Sequence, residues 1–135
     1  MRTVETDLRV RYSETDRMGI VYHAHYIVWF EIGRTEYCRS AGLAYRKMEE
    51  DGILILVTAV ECRYRKSARY DDPVRIRARM SELSRRGLAF EYEIAGAEGG
   101  LLADGSTRHV FADKDGRPKS VAPEILDLFE KFRRS

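Results

Sequence analysis

One segment of the chain, from Tyr22 to Gly42, is apolar around most of a helix circumference in its first half. Its apolar residues there are Ala24, Tyr26, Ile27, Val28, Trp29, Phe30 and Ile32. A helix that is apolar on nearly every side is expected to be buried. Gly42 is a plausible C-cap. Since the chain has only 135 residues, most of the remaining sequence must wrap around this one helix.

The rest of the sequence alternates in the manner of strands. Apolar and charged residues alternate from Val4 to Tyr12, in PVRIRARMSEL (73–83) and from Leu88 to Ile94, and two further strands are expected in ILILVTAVECRYRKSA (53–68) and from Leu101 to Ala112. A short helix is expected near Tyr45 to Glu50. The closing helix has Pro123 in its first turn and places Ile125, Leu128, Phe129 and Phe132 on one side.

The order of these elements is one strand, the long helix, about four strands joined by hairpins, and a terminal helix. Segregated strands of this kind favour an antiparallel α+β fold. No change in composition suggests an internal boundary, so we expect a single domain over residues 1–135.

Composition narrows the classes of function. The formal charge is only +2, which does not predict a nucleic-acid-binding protein. The start of the chain shows no secretory signal, and the apolar stretches are too short to span a membrane, so a cytoplasmic location is expected. Cys38 and Cys62 have no metal-like or redox-like spacing, which favours free thiols in a reducing compartment.

The stretch SETDRMGIVYHAHY, residues 13–26, places ionisable groups at the start of the long helix. Asp16 allows two interpretations: an Asx-turn or capping residue, or a carboxylate that acts as base or nucleophile. Gly19 permits a left-handed turn or a close backbone approach. Because the first N–H groups of a helix lack partners within it, they could stabilise an oxyanion that faces Asp16.

The two histidines of this stretch do not indicate a metal site. If both are helical, His23 and His25 lie about 200° apart around the axis and cannot share a face. No further cysteine or histidine pattern supports a metal, and none is expected. His23 is better placed for substrate contact, whereas His25 is expected to cap or pack. Glu14 is predicted to be a solvated loop residue.

The same stretch carries a family resemblance. The pattern is Tyr, three residues, Asp, two residues, Gly, then Val-Tyr-His-Ala, and later Glu-x-x-Arg-Thr-Glu. It resembles the signature of the hotdog-fold acyl-CoA thioesterases, in the branch shared by 4-hydroxybenzoyl-CoA thioesterase and YbgC-like enzymes. The matching residues are Tyr12, Asp16, Gly19, Val21, Tyr22, His23, Ala24, Arg34, Thr35 and Glu36, and the resemblance continues through YRKSARYDDPVRI and VFADKDGRPKSVAPEI.

The resemblance implies a hotdog fold, in which a curved antiparallel sheet of about five strands wraps around the long helix. It also implies an acyl-CoA hydrolase that releases a free carboxylic acid and coenzyme A and needs no separate cofactor. Asp16 would attack the thioester or activate a water, and a backbone N–H near His23 would stabilise the oxyanion. The His23 side chain would orient substrate or water, and Tyr12 would position Asp16.

Four further residues are expected to contact the substrate. Gly19 and Tyr22 belong to the loop, and Arg85 and Arg86 lie at a hairpin that resembles the nucleotide-contacting segment of the family. A solvated turn explains these two arginines equally well. A second set of arginines alternates with apolar residues, which favours the outer face of a sheet over a subunit interface or a phosphate site. This set comprises Arg63, Arg65, Arg75, Arg77 and Arg79.

Members of this family pair their sheets edge to edge, which implies a homodimer or a homotetramer with active sites between subunits. The alternative function is a non-catalytic acyl-CoA-binding module on the same fold. The sequence leaves four points open: the acyl group, a nucleophilic or general-base role for Asp16, a dimer or a tetramer, and coenzyme A or acyl-carrier-protein thioesters as substrate.

Overall fold

The fold is a five-stranded antiparallel sheet that carries one long helix, which confirms the α+β prediction. The computed structural model describes residues 1–43 and 45–135. Its elements are β1 (Thr3–Arg9), a 3₁₀ turn (Tyr12–Glu14), α1 (Ala24–Ser40), α2 (Tyr45–Glu50), β2 (Leu54–Tyr64), β3 (Pro73–Leu83), β4 (Gly87–Ala95), β5 (Leu101–Ala112) and α3 (Pro123–Arg134). The strand order is β1-β3-β4-β5-β2, so β1 and β2 are the edges.

The core lies between α1 and the inner face of the sheet. Trp29 and Phe30 are fully buried, and the Phe30 ring stacks on Tyr92 of β4 with 4.4 Å between centroids. Gly33 allows the helix to approach the sheet closely, because a Cβ there would lie 2.7 Å from Ile76 Cγ2. The helix ends at Ser40 with Ala41 as its C-cap, so the cap lies one residue before the predicted Gly42. Gly42 follows in the left-handed conformation, with a φ of +97°.

Two expected strand ends and one expected helix face differ from the structure. β1 ends at Arg9 rather than at Tyr12, because the chain turns into the 3₁₀ turn. β2 ends at Tyr64 rather than at residue 68. On α3, Leu128 is 36% exposed, and Leu126 packs against the core in its place.

The prediction that α1 is buried all round is wrong for the single chain. Ile27 and Val28 are 38% and 39% exposed. The sheet covers only one side of the helix. On β2, the neighbouring edge strand, Val57 and Val60 are exposed as well. The described part of this chain therefore covers these four apolar side chains only partly.

The outer face of the sheet is a set of ion pairs. Arg75 pairs with Asp7 at 2.8 Å, and Arg77 pairs with Glu5 at 2.8 Å, both across the β1–β3 ladder. Arg79 similarly pairs with Glu91. Exposed pairs of this kind contribute little to stability, because water and salt screen them. The interpretation as an outer polar face is confirmed for Arg75, Arg77 and Arg79. Arg65 departs from it, since it follows the end of β2 and lies beside His23 and Tyr26.

Neither Cys38, which is buried, nor Cys62, which is half-buried, forms a disulfide within the described residues. Across residues 1–43 and 45–135, none of the helices has the length and apolar character that a bilayer crossing requires.

A polar network is buried between the sheet and α1. The Thr107 hydroxyl lies 2.6 Å from the Tyr92 hydroxyl and 2.7 Å from His109 Nε2, and Arg34 donates to Tyr92 at 3.4 Å. His109 is only 3% exposed. Burial, together with the Arg34 charge, lowers the pKa of His109 to about 4. The folded protein therefore keeps this imidazole neutral at neutral pH.

His109 is expected to make folding stability depend on pH. An unfolded chain protonates histidine below its ordinary pKa of 6.5, whereas the folded protein does so only near 4. The unfolded state thus binds the extra proton across this range, and stability falls as the pH falls. Between pH 7 and pH 5, we expect the wild type to lose about 1–2 kcal/mol more stability than His109→Gln. Urea unfolding at each pH measures this, and identical slopes for both proteins would contradict it.

Candidate active site

The loop between β1 and α1 is closed by a bridge between Thr15 and Val21. Within it, the Asp16 N–H donates to the Ile20 carbonyl at 2.9 Å, and the Gly19 N–H donates to the Asp16 carbonyl at 3.0 Å. Gly19 has a φ of +78°, a conformation that residues with a Cβ rarely adopt. The left-handed turn anticipated at this glycine is present, and it folds the loop back towards the helix.

The Asp16 side chain forms an Asx-turn. Its Oδ1 accepts the Met18 N–H at 2.8 Å, and the residue is half-buried. No group in the described parts of the chain donates to its Oδ2. The turn therefore orients the carboxylate through one oxygen and leaves the other for a further contact. The two interpretations of Asp16 are compatible with each other.

The start of α1 offers unpaired donors. Within the described residues, the backbone N–H groups of His23 and Ala24 make no hydrogen bond. The His23 carbonyl accepts the Tyr64 hydroxyl at 3.0 Å, which holds the end of β2 against the helix start. Burial and the neighbouring Cys62 raise the pKa of Tyr64 to about 12, so its hydroxyl stays a donor. Two N–H groups near the positive end of the helix form a possible oxyanion site.

A cleft of about 200 Å³ opens beside this helix start. Its lining residues are Ile20, Val21, His23, Tyr26, Tyr64, Arg65, Lys66 and Ser67. Asp16 does not line the cleft itself, but its backbone is hydrogen-bonded to Ile20, which does. The cleft thus lies between the loop that carries Asp16 and the basic segment after β2.

A second cleft follows the same seam between α1 and β2. It has a volume of about 230 Å³ and contains Glu31 and Arg34 of α1 and the segment Leu54–Leu56 of β2. Because His23 lies by Tyr64 and Arg34 by the start of β2, α1 runs antiparallel to β2. A larger groove of about 520 Å³ lies at the opposite edge of the sheet, where Arg75 is already paired.

The other predicted loop residues lie around the helix start. The centroid of the Tyr22 ring is 4.5 Å from that of His23 and 6.2 Å from that of His25, so His25 packs against Tyr22. Tyr12 is 77% exposed, and its ring contacts Tyr70 edge-on. Its carbonyl, not its hydroxyl, reaches the loop by accepting the Thr15 N–H and hydroxyl. A role for the Tyr12 side chain in positioning Asp16 stays a prediction.

Arg85 and Arg86 are exposed at the β3–β4 hairpin and distant from His23 within one chain. The strand after this hairpin begins opposite Val110, which pairs with Leu56 near the start of β2. The helix start lies at the other end of β2, roughly 25 Å away along the strand. These two arginines could act at the cleft only from another chain.

Glu14 is the residue that the sequence interpretation placed wrongly. It is 2% exposed rather than solvated. Its carboxylate accepts the Arg11 N–H at 2.7 Å and the Trp29 indole N–H at 2.9 Å. Burial alone would raise the pKa of Glu14, but these bonds and the Arg11 guanidinium hold it below its ordinary value. A buried tryptophan needs an acceptor for its N–H, and that requirement was the available signal.

In residues 1–43 and 45–135, no group of three or more His, Cys, Asp or Glu side chains comes close enough to hold a metal ion. This agrees with the geometry at the helix start, where His23 and His25 contact aromatic rings.

A family model described as the thioesterase-like superfamily matches residues 10–129. The chain is 33% identical to YneP of Bacillus subtilis, with 99% of this chain and 100% of YneP covered. It is 30% identical to the acyl-CoA thioester hydrolase YbgC of Escherichia coli, with 92% and 93% covered. The solved DHNA-CoA thioesterase of Staphylococcus aureus superimposes with a TM-score of 0.94 at 32% identity, with 99% and 93% covered.

Proposed function

The chain belongs to the thioesterase-like superfamily, and from this we propose that it hydrolyses acyl-CoA thioesters to a free carboxylic acid and coenzyme A. The proposal needs no cofactor apart from the coenzyme A of the substrate. Its main support is that the loop carrying the half-buried Asp16 carboxylate leads to the start of α1, where two backbone N–H groups are unpaired in the described chain and a cleft opens. The hotdog architecture of a sheet around one helix supplies that arrangement.

The reaction requires an attacking group and an oxyanion donor. If Asp16 attacks the carbonyl carbon, the tetrahedral oxyanion collapses, expels the thiolate and leaves a mixed anhydride that water hydrolyses. If Asp16 instead takes a proton from water, the hydroxide attacks and the proton passes to the departing sulfur. In both routes, the N–H groups of His23 and Ala24 would stabilise the oxyanion, and losing such a donor typically costs ~3 kcal/mol.

The acyl group is proposed to follow the seam between α1 and β2. The seam is open at both clefts, and Ile27, Val28, Val57 and Val60 are exposed on the two elements that form it. Thiol release from a panel of acyl-CoAs tests the function. The panel should span short aliphatic, long aliphatic and aromatic acyl groups, together with one acyl-carrier-protein thioester. If every thioester binds but none is cleaved, the protein is a binding module.

A second copy of the chain is proposed to cover this seam. The outer edge of β2 has no partner strand in the described chain, and unpaired apolar edges promote pairing. If two β2 edges pair antiparallel about a two-fold axis, the start of one β2 lies beside the end of the other. Arg85 and Arg86 of one copy would then lie towards the cleft of the other. A homotetramer would join two such dimers.

Val28→Glu is expected to convert the proposed dimer into a monomer. The substitution places a charge at a side chain that is 39% exposed here and would be buried between copies. Light scattering after size-exclusion chromatography, at a protein concentration near 10 µM, gives the mass. Leu128→Glu is the matched control, since Leu128 is similarly exposed on α3. The interface would be wrong if the wild type were monomeric or if only the control dissociated.

A further inference from the structure

The strongest unassigned feature near the site is the buried carboxylate of Glu14. Carboxylates are rarely buried without partners, because desolvation disfavours the charge. Glu14 has partners on two elements. Its Oε1 accepts the Arg11 N–H at the start of the 3₁₀ turn, and its Oε2 accepts the Trp29 indole N–H on α1. The side chain thus connects the entry to the loop with the central helix.

The backbone of Glu14 holds the other end of the same loop. Its carbonyl accepts the Tyr22 N–H at 2.9 Å, directly beside the Thr15–Val21 bridge. The loop of residues 15–21 therefore leaves from Glu14 along the chain and returns to it through the Tyr22 N–H. Asp16 lies between these two points. Val21 gives the returning leg one further bond, from its N–H to the Ala68 carbonyl.

Trp29 makes the connection rigid on the helix side. It is fully buried, and its ring packs edge-on against Tyr26 at 4.9 Å. Trp29 lies in the second turn of α1, whose first turn carries the N–H groups of His23 and Ala24. The bond from Glu14 to the Trp29 indole N–H thus relates the Asp16 loop to these donors through one helix.

We propose that Glu14 is a positioning residue, which fixes the loop that carries Asp16 against the start of α1 through its bond to Trp29. The inference rests on the proposed function, since it assigns Glu14 a role in the reaction of Asp16. The geometry demands two accepting oxygens, because both partners of Glu14 are donors. Glutamine keeps the size but turns an N–H₂ group towards one of those donors.

Glu14→Gln and Trp29→Phe are expected to lower kcat by about 30-fold each with KM within twofold, since small misplacements at a reacting centre carry large costs. Because both changes break one connection, the double variant is expected to lose little more than either single variant. Phe129→Leu is the control: it disturbs a fully buried side chain on α3, away from the loop, and should lower the unfolding midpoint but keep kcat within twofold.

A readout independent of activity separates this inference from the proposed function. Amide hydrogen exchange of residues 15–21 should accelerate at least tenfold in Glu14→Gln and remain unchanged in Phe129→Leu. If the wild type cleaves no acyl-CoA, the proposed function fails, and the exchange rates still decide whether Glu14 fixes the loop. Unchanged exchange in Glu14→Gln, or a kcat loss equal to that of Phe129→Leu, overturns the inference.

Discussion

Asp16→Asn is expected to lower the rate of thiol release from acyl-CoA by about a thousandfold. The asparagine Oδ1 can still accept the Met18 N–H, so the Asx-turn of the loop persists. What disappears is the negative charge, and with it the ability to attack the thioester or to take a proton from water. Steady-state release of coenzyme A, followed with a thiol reagent, measures the effect.

Asp113→Asn is the matched control for this substitution. Asp113 forms an Asx-turn of the same kind, in which its Oδ1 accepts the Asp115 and Arg117 N–H groups. It lies after β5, in a different loop from Asp16. Its variant should cleave acyl-CoA at the wild-type rate. If Asp16→Asn did so as well, Asp16 would have no part in catalysis.

Gly105→Ala is expected to give the largest loss of stability, about 3 kcal/mol in the free energy of unfolding. A Cβ at this position of β5 would lie 2.1 Å from the Glu61 carbonyl oxygen and 2.9 Å from the Phe30 ring. Neither neighbour can move freely, because Glu61 belongs to the adjacent strand and Phe30 is stacked on Tyr92. Urea unfolding of both proteins at pH 7 measures the difference.

Gly100→Ala provides the comparison, since the nearest atom to its Cβ would be the mobile Lys66 ammonium at 3.9 Å. We expect this variant to unfold within about 0.5 kcal/mol of the wild type. Equal stability of Gly105→Ala and the wild type would contradict this prediction. It would mean that β5 and β2 can move apart to admit the Cβ at little cost in free energy.

The alternation of apolar and charged residues predicted which segments form strands better than it predicted where each strand ends. Strict alternation placed β3 at Pro73–Leu83, where the structure has it. The same alternation carried β1 on to Tyr12, although the strand ends at Arg9, opposite Pro73. Backbone bonds continue one residue further, because the Val10 N–H donates to the Asp72 carbonyl and the Asp71 N–H donates to the Val10 carbonyl. The chain then enters the 3₁₀ turn at Tyr12, which alternation of apolar and charged residues does not report.

Site residues close together in the chain could be anticipated from one stretch, whereas contacts between distant positions could not. The turn at Asp16 and Gly19 and the helix start at His23 are local features. The bond from Tyr64 to the His23 carbonyl joins positions 41 residues apart, and the bond from Trp29 to Glu14 joins positions 15 apart. The partial exposure of α1 was missed because periodicity reports which side chains are apolar and not whether the same chain covers them.

The two edges of the sheet have different consequences for growth into larger aggregates. β1 is short and bears alternating charges such as Glu5 and Asp7, which discourage further strands from joining. β2 is apolar but irregular, because a bulge shifts its register between Val57 and Ala59. If two copies pair through β2 about a two-fold axis, neither copy has an unpaired apolar edge strand left. Only the two charged β1 strands then remain as edges. Such an assembly is self-terminating and should resist fibre formation.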